Sequence, residues 1–86
     1  MLEDDDNPTV EIPAWDGVPR FVAELWRLTK DHRSAVCSVW THPEGGELRV
    51  TVDGELQLAE ATPHTFVLPT LALAWKERWH WMHGWQ

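Results

Sequence analysis

The final twelve residues, Trp75-Lys76-Glu77-Arg78-Trp79-His80-Trp81-Met82-His83-Gly84-Trp85-Gln86, hold four of the chain's seven tryptophans. Tryptophan combines the largest apolar area of any side chain with one N–H that needs a partner. A cluster this dense must be buried, either in a small core or in an interface, where Trp is enriched among the anchors. At about 100° per residue, Leu71, Trp75, Trp79 and Met82 fall on one face of a helix, with Ala72 at its edge. Pro69 suits the first turn, Gly84 suits a left-handed cap, and Trp85 is placed to fold back on the preceding turn. Lys76, Arg78, His80 and His83 occupy the second half, where cations suit the helix dipole.

The short length sharpens this constraint. A chain of 86 residues makes one domain at most, and one of this size buries only about 60–65% of its unfolded surface. Cys37 is the only cysteine, so no internal disulfide can help. Large aromatics on one helix supply the missing stability through area, at ~1.5–3 kcal/mol per buried side chain. Oligomerisation is the other route.

Upstream of the helix the apolar period is two. The stretch Phe21–Leu28 reads as helix or strand, and a strand from about Glu24 to Lys30 is favoured because the polar turn Asp31-His32-Arg33 leads straight into another. That next run, Ser34 to Thr41, is rich in β-branched and apolar residues, and His42-Pro43-Glu44-Gly45-Gly46 reads as a loop. Leu48, Val50 and Val52 alternate with polar residues, Asp53-Gly54 signals a hairpin, and Leu56 and Leu58 alternate on the return. Burying both leucines with Leu48 and Val50 calls for a three-residue loop, Val52-Asp53-Gly54, with Val50 opposite Leu56 and Gly54 at positive φ. The expected fold over residues 20–86 is therefore α+β: an antiparallel three- to four-stranded β-meander packed by a C-terminal amphipathic helix.

Residues 1–19 form an acidic, proline-rich arm. Glu3 to Asp6 are acidic, and Pro8, Pro13 and Pro19 exclude a helix or central strand. Val10, Ile12, Trp15 and Val18 are nevertheless apolar. The arm is thus either disordered or an extended peptide that docks on its own domain or on a partner.

The strings Leu25-Trp26-Arg27-Leu28, Asp53-Gly54-Glu55-Leu56, the helical Trp75-Lys76 and the closing Gly84-Trp85 resemble a set of short uncharacterised bacterial proteins. Those proteins share an LWRL opening, a DGEL hairpin and a terminal GW. The resemblance covers residues 24–86 and implies the same fold but no activity. The acidic arm and the Trp-dense tail depart from it.

Composition narrows the function classes. Fourteen acidic residues against seven basic ones give a formal net charge of −7, which argues against direct binding of nucleic acid or anionic membrane. The longest apolar run, Phe66 to Trp75, is too short to span a bilayer, and Met1 to Asp6 lacks the features of a signal peptide. The cytoplasm is the expected compartment.

No phosphate loop, dinucleotide fingerprint, serine elbow, CxxC or HExxH occurs, and Cys37 in an apolar strand reads as a small buried hydrophobe. No catalytic residue, cofactor or metal site is expected.

The helix also carries a second stripe. Leu73, Glu77 and Trp81 lie nearly opposite the core face. They either pack against Ile12 and Trp15 of the arm or form a binding surface. The expected function is a small non-enzymatic interaction module that binds a protein partner or a second copy. Leu73, Trp81 and Trp85 would be its anchors, with Glu77 and His80 as a polar rim. Two alternatives come from other classes. One is an acidic inhibitor or nucleic-acid mimic of the mobile-element type, presenting Glu3 to Asp6, Glu11 and Asp16 to a basic groove. The other is metal binding by His80 and His83 at i, i+3.

Overall fold

In the computed structural model, residues 11–86 are described, Met82 and His83 by their backbone alone. Four strands, β1 (Phe21–Lys30), β2 (Arg33–His42), β3 (Gly45–Val52) and β4 (Glu55–Thr62), form one antiparallel sheet in the order β1-β2-β3-β4. A short 3-10 turn, Thr65–Val67, leads into the helix α1 (Leu68–His83). The fold is the expected α+β meander and helix. Phe21–Leu28 belongs to a strand, three residues longer at its start than the alternation suggests.

Local chemistry makes the turns. Asp31 and His32 take φ of 52° and 69°, and Asp53 and Gly54 take 52° and 87°. Two successive left-handed residues twist with the sheet, so both are two-residue hairpins. The stretch expected as a loop at His42–Gly46 shrinks to Pro43-Glu44, because His42 pairs with Gly45 and Thr41 with Gly46. Packing explains this correction. A Cβ on Gly46 would stand 2.7 Å from Ile12 Cδ1 and 3.0 Å from Leu68 Cδ1. The paired glycines let β3 run beneath the arm and the opening of the helix.

The second hairpin also departs from expectation. Val52 pairs with Glu55 across a two-residue turn, so the three-residue loop is wrong and Thr51, not Val50, lies opposite Leu56. Gln57 is then an extra residue, a bulge that restores the register and sets Val50 opposite Leu58. Only Leu58 reaches the core; Leu56 is 56% exposed on the other face. Gly54 does have positive φ. The sequence argument counted one turn and no bulge, and the bulge supplied the residue that the longer loop was meant to supply.

The core lies between the sheet's inner face and α1. Trp26, Leu28, Ala35, Cys37, Val39, Leu48, Val50 and Val52 project from three strands onto Leu68, Ala72, Trp75 and Trp85. Ala72, placed at the edge of the core face by angular position, is almost fully buried, whereas Leu71 is half-buried. The helix is rotated so that its smallest apolar residue meets Trp26, whose indole N–H donates to the Ala72 carbonyl at 2.7 Å. That bond satisfies the one polar group that burying Trp26 would otherwise strand.

The chain is tied to the sheet just before β1 and again at Gln86. Arg20 N–H donates to Thr41 Oγ1 at 2.8 Å, and Thr41 N–H donates to the Arg20 carbonyl at 2.9 Å. Gly84 takes the left-handed conformation and turns the chain back, so that Gln86 N–H donates to the Thr29 carbonyl at 3.0 Å on the outer edge of β1.

Asp53 fastens the last hairpin to the first. Its carboxylate accepts the Ser34 N–H at 3.0 Å and Arg33 Nε–H at 3.1 Å. The Ser34 bond first, and Arg33 second, hold its carboxyl below the ordinary value of 3.8. A lowered folded pKa stabilises above the unfolded value, and that contribution is lost as pH falls through the folded one. Asp53→Asn keeps the turn geometry, since Asn tolerates positive φ. It should melt below the wild type at pH 7, and the gap should close as the pH is taken below 3.8. A gap that stays constant from pH 7 to pH 2 would remove the ionised carboxylate from the account.

Candidate functional site

The five residues expected to bind a partner divide sharply. Leu73 and Trp81 are 62% and 79% exposed, and Glu77 between them is exposed. Spacings of four residues set the three along one side of α1, away from the buried Leu68, Ala72 and Trp75. His80 is exposed beside them and is held in place. Its Nδ1 lies 2.8 Å from the Trp85 carbonyl, which requires Nδ1–H to donate, and its ring meets Trp81 edge-to-face at 5.5 Å.

Trp85 is the exception. It is 5% exposed and packs edge-to-face on Trp79 at 5.7 Å. The left-handed Gly84 aims it inward, so it serves the core as the fold-back signal suggests and is no part of an exposed anchor set. An exposed aromatic next to the helix also escaped the sequence reading. Phe66, in the 3-10 turn ahead of the helix, is 78% exposed and stacks edge-to-face on His64 at 5.9 Å. Its only signal was a position between the last strand and the helix, where neither period assigns a face.

The described part of the arm leaves the stripe open. Ile12 is half-buried against Gly46 and Leu68, at the opening of the helix, and Trp15 is 37% exposed. Residues 1–10, with the acidic run Glu3 to Asp6, lie outside the described residues. Of the other acids assigned to a mimic, Glu11 is exposed. Asp16 is engaged by Arg20, whose hydrogen bond is the main cause holding its carboxyl below the usual carboxylate value.

Burial pushes the Cys37 thiol up to about 12, so at neutral pH it stays protonated and packs as a hydrophobe. Among the described residues, no group of three or more His, Cys, Asp or Glu is placed to hold a metal ion. Of the proposed histidine pair, His80 already commits Nδ1 to a carbonyl, and the side chain of His83 lies outside the described residues. No helix among the described residues is long and apolar enough to cross a membrane. Comparison with family models, with curated proteins and with solved structures finds no match to this chain.

Proposed function

We propose that this protein is a small non-enzymatic interaction module of the cytoplasm. It works through the outer stripe of α1, with Leu73 and Trp81 as apolar anchors and Glu77 and His80 as their rim. The observation that carries the reading is Trp81 at 79% exposure. The core is already filled by Trp26, Trp75 and Trp85, so Trp81 contributes little to folding. An exposed Trp and an exposed Leu eight residues apart on one side of the helix, rimmed by polar groups, have the composition of a binding hot spot. His80 supports the geometry, since its bond to Trp85 fixes the ring edge-to-face against Trp81.

Trp81→Ala should leave the melting transition of the monomer within ~0.5 kcal/mol of wild type, and should weaken partner binding by about 2 kcal/mol or more. The check pairs a denaturation series with affinity capture from lysate at low and at 0.5 M salt, followed by titration of each captured protein against wild type and variant. A partner kept at high salt and lost with Trp81→Ala supports the apolar stripe. A partner released by salt and indifferent to Trp81 points to the acidic-mimic reading instead. If Trp81→Ala destabilises the monomer as much as a core tryptophan does, the stripe is packing and the reading fails.

A further inference from the structure

We propose that the outer face of the sheet is where two copies of this chain meet, leaving the helix stripe of each free for a different protein. The helix covers only the inner face. Over the described residues the molecule measures 38 × 37 × 17 Å, and its thin dimension is that of one sheet and one helix. Among the described residues no further helix or strand stacks on the opposite side.

That face is unusual for a free surface. Phe21 is 57% exposed and Leu56 56% exposed, and both belong to it: Phe21 pairs with Trp40, and Leu56 with Thr51, each out of step with the buried Val39 and Val50. They stand at opposite corners, Phe21 at the start of β1 and Leu56 near the start of β4. A two-fold axis lying in the interface, perpendicular to the line between them at its midpoint, sets Phe21 of one copy on Leu56 of the other, twice. Such mutual matching is what a symmetric dimer requires. Phe21 is also braced for contact, meeting Trp40 edge-to-face at 5.8 Å.

Charge selects a second copy over an unrelated acidic or basic partner. Two chains of formal charge −7 repel across most of their surfaces. The outer face is different, because Glu24 and Glu47 are matched there by Arg27 and Arg49, a sum of zero. Each pair closes within one chain, Arg27 to Glu24 at 3.0 Å and Arg49 to Glu47, with the Arg49 guanidinium 4.5 Å from the centre of the Trp40 ring. Burying the face therefore leaves no unpaired ion. The area also suffices: four strands of eight to ten residues cover ~550 Å² on each copy. The total of about 1,100 Å² clears the ~1,000 Å² that a biological interface needs.

Sedimentation equilibrium of the full chain tests this. The expected mass is about 20 kDa, twice the 10.0 kDa of one chain, and it should persist in 0.5 M salt. The double variant Phe21→Glu, Leu56→Glu should raise the dimer Kd by ~100-fold or more while keeping the wild-type circular dichroism. Phe21→Ser serves in its place if the double variant fails to fold. Trp81→Ala should remain dimeric. A 10.0 kDa species at 0.5 mM chain overturns the proposal, as does a dimer that ignores both sheet-face variants or that dissociates with Trp81→Ala. Because the readout of Trp81 runs in the opposite sense to its effect on partner binding, failure of the dimer and failure of the helix-stripe reading are separately visible.

Discussion

Trp75→Ala should cost about 3–5 kcal/mol, a third or more of the total stability of a domain in the lower part of the 5–15 kcal/mol range. Trp75 is 4% exposed at the centre of α1 and lies in the same cluster as Trp26, Leu68, Ala72 and Trp85. Its removal opens a cavity that the flanking groups cannot close. Trp26 is held to the Ala72 carbonyl, and Trp85 is held by the backbone bridge from Gln86 to Thr29. Urea denaturation followed by far-ultraviolet circular dichroism would check this. A cooperative transition within 1 kcal/mol of wild type would show that Trp75 is not a core residue. The contrast with Trp81, six residues further on and 79% exposed, makes the pair a direct measure of which helix face the sheet uses.

Gly45→Ala is the second large effect, at about 2–4 kcal/mol, because positive-φ strain and a clash with backbone add. Gly45 has φ of 140°, and a Cβ there would stand 2.8 Å from the Thr62 carbonyl oxygen and 3.0 Å from Pro63 Cα. Both obstacles are main chain, so no rotamer change relieves them. Gly54→Ala is the matched control. Its φ is 87°, but a Cβ there meets nothing within 4 Å, so only the conformational cost of about 1 kcal/mol remains. Equal losses for the two variants in denaturant titrations would mean that the close approach of β3 to Pro63 contributes nothing.

The helix was legible because its signals are local. The spacing from Leu71 to Met82, Pro69 in the first turn and Gly84 at the left-handed cap act within a few residues of one another. The strands were legible from their alternation for the same reason. The candidate stripe was legible in part, since Leu73, Glu77 and Trp81 follow from helical spacing alone. Trp85 was harder to assign: its fold-back is local, but its burial depends on β1 offering Thr29 to Gln86.

What the sequence determined by itself, then, is the class of each element, the hairpin at Asp53-Gly54 and the helical row of tryptophans, because periodicity and turn chemistry are properties of neighbouring residues. Tertiary structure decided everything that depends on a distant partner. The Gln57 bulge sends Leu58 inward and Leu56 outward, a choice made by which face of β3 the helix covers. The paired glycines at 45 and 46 look like loop punctuation until Ile12, Thr62 and Leu68 close over them. Ala72 lies at the centre of the core because Trp26, forty-six residues away, needs its carbonyl. Register, helix rotation and close approach are each set by packing between segments far apart in sequence, and no short window of residues contains both halves of such a contact.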